Sequence, residues 1–424
     1  MTGNGGVDGR HALPNQPSLR RHNLSAVLRH LVTDGPRSRA RLAQATGLTK
    51  ATVSSLVGEL AERGLVREGS VERGAVGRPG QQVALNGPGA CGVGVELNVD
   101  YVASVVVDLA GQVISAEHRP LPASRLGSDV VLDEVARATE RALAVVAAES
   151  SYPAGVTLAL PGGVDVAAGT LTYAPNLGWR DVPVVAALES RLGDVGLHVD
   201  NEANLAALGE YGVGAAAGTR DLLLLTGEVG VGGGIISGGR LLRGGRGHAG
   251  EVGHMQLDPQ GRQCGCGRRG CWETVVGLWP LLHAVAGPGD TVLDPTVGLE
   301  ERLTEVSRRA EAQDARTLVA LEQVGSWLGL GASLLVNVLN PTVLVLGGYF
   351  ATLGPWLLEP VRRQLAERVV APAAGGCRVE LSTLGFTAAV RGGAQVALDA
   401  VLENPTIVDR PVLSHPVPLT TAGA

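Results

Sequence analysis

The stretch from Gly250 to Glu273 constrains the chain more than any other: Gly-Glu-Val-Gly-His-Met-Gln-Leu-Asp-Pro-Gln-Gly-Arg-Gln-Cys-Gly-Cys-Gly-Arg-Arg-Gly-Cys-Trp-Glu. It carries three of the five cysteines, Cys264, Cys266 and Cys271, with His254 shortly upstream. Three thiolates and one imidazole are the usual shell of a tetrahedral structural zinc. Gly265, Gly267 and Gly270 let so short a loop bend until its sulfurs face one ion. The alternative is a set of buried or disulfide-bonded cysteines. A closed shell of four protein ligands leaves no open position for water or substrate, so Zn2+ is expected as a structural ion and not as a catalyst. Glu251 and Glu273 lie just outside the four ligands, and whatever fixes the metal fixes two carboxylates as well.

A chain of 424 residues is too long for one ordinary domain. No apolar run reads as long enough to span a bilayer, and the N-terminus lacks the charged and apolar regions of a signal peptide. Few cysteines, three of them suited to a metal, fit a reducing cytoplasm. The net charge of −6 conceals an asymmetry. Residues 1–90 hold twelve Lys/Arg against six Asp/Glu, leaving 23 against 35 for the remainder. A basic first segment on an acidic body points to a nucleic-acid module attached to something else.

Residues 1–17 show no periodicity and are expected to be disordered. Residues 18–86 read as a winged helix-turn-helix. Leu24, Val27, Leu28 and Leu31 follow helical spacing, Ser38 caps a short second helix from Arg39, and Thr49 caps a third that runs to about Arg63. In the third helix Val53, Leu56, Val57 and Leu60 form the inward stripe. Lys50, Thr52, Ser54 and Ser55 fall largely on the other side, short or cationic as a major-groove helix requires. A hairpin follows, Val66–Glu68 against Gln82–Leu85, with Gly77-Arg78-Pro79-Gly80 in its tip. An arginine on a narrow loop suits a minor groove. The expected DNA contacts are Arg39, Lys50, Thr52, Ser54, Ser55 and Arg78. A three-helix protein-interaction module is the competing reading, but it needs neither the basic excess nor the arginine-tipped wing.

From residue 87 strands alternate with helices after a strand-rich opening, and the pattern then repeats. This describes a two-lobed α/β body over residues 87–403, with lobes at roughly 87–200 and 201–403 and the last helix returning to the first lobe. Residues 404–424 are Pro- and Thr-rich and are expected to be a flexible tail.

Residues 87–403 resemble the ROK family of repressors and sugar kinases, a branch of the actin-like ATPase fold. The matching strings are Gly-Glu-Val-Gly-His from Gly250, Cys-Gly-Cys-Gly from Cys264 through Trp272-Glu273, and Asn201-Glu202-Ala203-Asn204-Leu205-Ala206-Ala207. Ala174-Pro175-Asn176-Leu177-Gly178-Trp179 and Leu346-Gly347-Gly348 match as well. The Gly-Arg-Pro wing is typical of the family's regulators. The resemblance implies sugar contacts from Glu251, His254 and Glu273, with His254 shared between sugar and zinc, completed by Asn201 and Glu202. Gly162 and Gly163 would let the sugar approach the backbone, and Asn176 is a weaker candidate.

The departures from the family's kinases concern phosphate chemistry. Glu202 stands where a kinase has an aspartate as general base, and one extra methylene misplaces the carboxylate. Glu96-Leu97-Asn98-Val99-Asp100-Tyr101 replaces a Gly- and Lys-containing phosphate loop. In Thr226-Gly227-Glu228-Val229-Gly230, Glu228 takes the place of a threonine. Carboxylates facing a triphosphate repel it unless a cation intervenes, so ATP binding is expected to be lost and no residue is expected to be catalytic. The expectation is a homodimeric or homotetrameric regulator, most simply a repressor, that binds a double-stranded DNA operator and responds to a sugar or sugar-derived effector. An active sugar kinase with an attached DNA-binding domain is the rival.

Overall fold

The computed structural model describes residues 16–71, 81–245, 247–370 and 376–409, with Ser70 and Val71 as backbone only. The chain divides into two compact units, Met1–Ala90 with Asp399–Ala424, and Cys91–Leu398.

In the first unit, α1 (Gln16–Asp34), α2 (Arg39–Thr46) and α3 (Lys50–Glu62) pack around the apolar positions the periodicity marks. Leu24, Val27, Leu28, Leu42, Val53, Leu56, Val57 and Leu60 are all almost fully buried. Ser38 caps α2 by accepting from the Arg41 amide, and Gly47 ends that helix in the left-handed region. Thr49 caps α3 through the Thr52 amide. A three-stranded sheet, in the order β1 (Arg37–Ser38), β3 (Gln81–Leu85), β2 (Val66–Val71), completes the module.

Two expectations change here. The first helix begins at Gln16, so Gln16 and Pro17 are not part of an irregular N-terminus. The flexible tail does not begin at residue 404: Pro405–Ile407 forms a helical turn, Val408 is buried, and Arg63 donates to the carbonyls of Thr406 (3.2 Å) and Val408 (2.7 Å). A nearly buried guanidinium needs acceptors, and these carbonyls supply them. Residues 410–424, and the wing tip with Arg78, lie outside the described residues.

The second unit is two lobes built on one plan. The first sheet uses β4 (Ala90–Leu97), β5 (Tyr101–Asp108) and β6 (Val113–Pro120) as an antiparallel meander. After α4 (Ser128–Ala148) come β7 (Tyr152–Leu160), a small sheet of β8 (Gly163–Asp165), β9 (Thr170–Ala174) and β10 (Trp179–Val182), α5 (Val184–Leu192) and β11 (Leu197–Asn201). The strand order is β11-β7-β4-β5-β6, with β11 and β7 parallel. α6 (Glu202–Val213) leads into the second sheet, β12 (Leu222–Gly227), β13 (Val231–Ser237) and β14 (Arg240–Leu241). The order there is β14-β13-β12-β15-β16, where β15 (Val343–Gly348) and β16 (Arg378–Leu381) run parallel to β12. Between β14 and β15 lie the cysteine loop, α7 (Glu273–Val276), α8 (Leu278–Val285), α9 (Leu299–Glu311) and α10 (Ala315–Leu339). α11 (Tyr349–Thr352) and α12 (Gly354–Arg368) separate β15 from β16, and α13 (Ala388–Glu403) follows β16.

Every residue of β4 and β5 is buried, so both faces of these strands are covered. One reason is α13: the Val390 carbonyl sits where a Cβ on Gly94 would be, so the last helix lies directly against the first strand. Among the described residues the two largest apolar clusters lie around α4 and β7 in the first lobe and around α8, α10 and α12 in the second, and a further one packs α6 and α13 against β12 and β15. α10 differs from expectation, because by length and composition it could cross a membrane. Its buried face packs on α8 and α12 as a core helix.

Candidate ligand pocket and metal centre

The cysteine loop is folded by its own backbone. Gly270 takes φ +67, and a Cβ there would overlap the Asp258 carbonyl, so the two ends of the loop approach as only glycine allows. The loop is anchored by Trp272, fully buried, whose indole N–H donates to the Trp327 carbonyl at 2.9 Å. Gly331 of α10 gives that indole its space, since any side chain there would enter the ring.

This arrangement brings His254, Cys264, Cys266 and Cys271 together, with one ligand atom from each and all four within 4.8 Å of one another. Cys266 Sγ and Cys271 Sγ are 3.6 Å apart, and Cys264 Sγ and His254 Nδ1 are 3.7 Å apart. A tetrahedron of ligands at roughly 2.1–2.3 Å from a zinc ion has edges of about 3.4–3.8 Å. The donor set and its spacing therefore fit a tetrahedral metal ion. All five cysteines are free, which removes the disulfide reading.

The ring of His254 links this cluster to a cavity. Nδ1 faces Cys264, while Nε2 is 3.9 Å from Glu251 Oε2. Glu273 touches both sides. Its Oε1 accepts from the Cys264 thiol at 2.7 Å and stands 3.5 Å from His254 Nδ1, and its Oε2 lies next to Gly230 in the cavity wall. Burial pushes the Glu251 carboxyl above its ordinary range, against the opposing pull of His254 and His248.

The cavity, about 760 Å³ when the open space at its mouth is counted, is lined by Gly162, Asn176, Asn201, Glu202, Glu251, His254 and Glu273, all singled out by sequence. Gly163 is not among the lining residues; a Cβ there would face Thr172 and His248. Gly162 is held at φ +91 with the Tyr173 carbonyl where a Cβ would be. Asn201 lines the cavity, but its amide is fully engaged. Oδ1 accepts from the amides of Ala203 and Asn204 as the N-cap of α6, and Nδ2 donates to Gly162 O (3.0 Å) and Glu202 Oε2 (2.7 Å). Asn201 thus orients Glu202 and the Gly162 turn.

Sequence reasoning noted Asn98 and Glu228 only as departures from phosphate loops, and the structure puts both in the cavity wall. The Asn98 amide donates to Glu228 across the cleft between the lobes and, at 3.4 Å, to Glu96. Tyr101 also donates to Glu96 Oε1 at 2.9 Å, leaving Glu96 Oε2 buried without a partner. Desolvation, then the charge of Glu228, pushes Glu96 up to about 8. Desolvation and the same neighbour raise Glu202 well above its ordinary range, and burial raises Glu228. Only the long-range pairing of two turns reveals this cluster, and no local spacing announces it.

In the first unit, Lys50, Ser54 and Ser55 are exposed along α3 and Thr52 is half-buried. Ser55 accepts from Arg20 at 3.3 Å, which turns it toward α1. Arg39 is ion-paired with Glu68 of β2, so its charge is partly spent inside the module.

The ROK family's profile matches residues 92–400, and that of the MarR family matches residues 25–75. The chain is 28% identical over 400 residues to a protein named xylose repressor from Bacillus subtilis, covering 93% of this chain and 100% of the relative. It is 32% identical over 309 residues to a glucokinase from Halalkalibacterium halodurans, covering 71% and 93%. Among solved structures, a ROK family transcriptional regulator described as a homolog of the E. coli MLC protein aligns with a TM-score of 0.74 at 23% identity, over 91% and 97% of the two chains. This fold is that of a two-lobed, actin-like ATPase body preceded by a helix-turn-helix module, and the chain belongs to the ROK family.

Proposed function

We propose that this protein is a DNA-binding transcriptional repressor whose body senses a sugar. The carrying observation is the contrast between the two halves of one cavity. On one side His254, Glu251 and Glu273 converge on a metal-ordered corner suited to sugar hydroxyls, which need rigid, paired acceptors. On the other side the Asn98–Glu228 hydrogen bond occupies the space between the two turns that would have to receive phosphates. Binding chemistry is kept and phosphoryl transfer is not. Relatives named repressors match along more than nine-tenths of the chain, including the helix-turn-helix, which supports the same reading.

The metal in this reading is Zn2+, held by His254, Cys264, Cys266 and Cys271. It supplies no chemistry beyond fixing the loop and the tautomer of His254. Gly162, Asn176 and Glu202 complete the sugar site, with Asn201 and Gly163 shaping its backbone. Lys50, Thr52 and Ser54 face the operator, with Ser55, Arg39 and the wing arginine Arg78 in lesser or separate roles. The protein works in the cytoplasm as a homodimer or homotetramer. Sugar acts through its differential affinity for the two states of the body, which changes operator affinity by the same coupling free energy.

The rival is an active kinase, favoured by the glucokinase relative. A coupled ATP assay with purified full chain and a hexose panel separates the two. The sensor reading expects no turnover and a sugar-dependent gel shift on operator DNA. Robust ATP-dependent turnover would overturn it.

A further inference from the structure

The β4–β5 turn of the first lobe approaches the second lobe at two points, and only one of them is bonded. Asn98 donates to Glu228. Two residues further on, the Asp100 carboxylate stands 3.9 Å from Arg302 Nη2 of α9, beyond hydrogen-bonding reach. Arg302 is 3% exposed, and no acceptor meets its buried Nε and Nη1. Trp279 of α8 lies against the guanidinium, with Cζ 5.8 Å from the ring centroid, and offers it a π face but no lone pair. Buried N–H groups left unmet carry a desolvation cost that an acceptor would offset.

Two carboxylates feel the charge of Arg302, Asp294 and Asp100. Asp294 belongs to the same lobe and already accepts from the amide and the hydroxyl of Thr296. Asp100 belongs to the other lobe. Burial raises its carboxyl in spite of the pull of Arg302 and of the exposed Arg125, as expected of an ion pair that is only partly formed. The two approach points are also linked within the second lobe. The Leu278 amide donates to the Glu228 carbonyl at 3.0 Å, and Trp279 is the next residue. A displacement of Glu228 is therefore passed through the start of α8 to the side of Arg302.

We infer that Arg302 is the clasp of the closed body: effector binding draws the lobes together until Asp100 accepts from Arg302, and this bond exists only in the effector-bound state. This rests on the sugar-sensing reading and adds the residues that hold the closed state. Neither side chain lines the cavity, so both are positioning residues that act through the equilibrium between the two states. A bond made in one state shifts effector affinity by its full strength, whereas a bond made in both shifts nothing.

The test is a double-mutant cycle on the zinc-loaded full chain. It is read by calorimetric titration with D-xylose, D-glucose and N-acetyl-D-glucosamine, and by urea unfolding without sugar. Arg302→Met keeps a long side chain and removes its charge, and Asp100→Ala removes the acceptor. Each should weaken the sugar that the native chain binds by about tenfold, the strength of one charge-assisted hydrogen bond. The double variant should lose no more than either alone. Without sugar, the unfolding midpoint of Arg302→Met should stay or rise, because the pair is not made there and a buried charge has gone. Native affinity in the single variants, or losses that add in the double variant, overturn the clasp while leaving sugar sensing intact. A midpoint that falls along with affinity in Arg302→Met overturns it too, since Arg302 then holds the fold in both states. If no sugar binds the native chain, the sensing reading and this inference fall together.

Discussion

Asn98 and Glu228, 130 residues apart, are hydrogen-bonded side chain to side chain, and through them the β4–β5 turn of one lobe grips the β12–β13 turn of the other. In the proposed reading both residues stand where a kinase of the family would need a phosphate-binding turn. Their contact joins the two lobes side chain to side chain, with Glu96 and Tyr101 extending it inward.

The first prediction tests that contact. Asn98→Ala leaves two buried carboxylates without their shared donor, and an unsatisfied buried acceptor costs about 1–3 kcal/mol. Urea unfolding of the body should show a loss in that range, and Asn98→Asp, which adds a third acid, should lose more. Unchanged midpoints in both variants would mean that the bond contributes nothing to holding the lobes.

The second prediction concerns pH. Unfolded Glu96 titrates near its ordinary 4.5, and folded Glu96 is pushed up to about 8. Between those values the folded state holds more protons than the unfolded one, so stability is fully present below the lower value and declines as pH rises through the upper. Glu202 and Glu228 shift in the same direction. Thermal melts from pH 5 to pH 9 should fall steadily in the native protein and less steeply in Glu96→Gln. Parallel slopes in the two would refute the assignment.

Much of this was legible in the sequence, and the limits have physical causes. The clustering of His254, Cys264, Cys266 and Cys271 could be read because they lie within one short, glycine-punctuated loop, where spacing nearly dictates geometry. Helix caps Ser38, Thr49 and Asn201 were legible for the same local reason, although only two of the three were read as caps. Asn201 looked like a ligand contact because sequence cannot show where an amide's four bonds go, and here they go to α6, Gly162 and Glu202. The ion pair of Arg39 with Glu68 could not be read from sequence because it depends on the fold of the sheet that carries β2. Residues 404–409 read as loose from the composition of the tail, yet Arg63 donates to the carbonyls of Thr406 and Val408.

The third prediction addresses the staple. Cys266→Ser, or removal of the metal by a chelator, should abolish the sugar-induced thermal shift while leaving DNA binding of the unliganded protein within a few-fold. In the proposed reading the ion orders His254 and Glu273, whereas the helices of the first unit have their own core. A sugar response that survives full metal removal, checked by metal analysis, would contradict the role of the loop.

The fourth follows from the anchor of that loop. Gly331→Ala puts a methyl group into the Trp272 ring, and overpacking of this kind costs about 1–3 kcal/mol. Because Trp272 directly precedes Glu273, zinc content and sugar affinity should both fall more than global stability does. Equal loss in all three would point to general unfolding and not to a displaced loop.

The last prediction separates two basic residues that sequence treats alike. Lys50 begins α3 on its exposed side, whereas Arg39 already faces Glu68. A cation that contacts a phosphate releases a counter-ion on binding, so removing it weakens affinity on every sequence and lowers the slope of log K against log salt by about one. Lys50→Ala should do this. Arg39→Ala should change the slope by less, because its charge is already compensated within the free protein, and should instead lower stability slightly through loss of the Glu68 pair. Fluorescence anisotropy on one operator at several salt concentrations decides it: a full unit lost in Arg39→Ala with no change in Lys50→Ala would reverse the assignment of α3 as the helix that faces DNA.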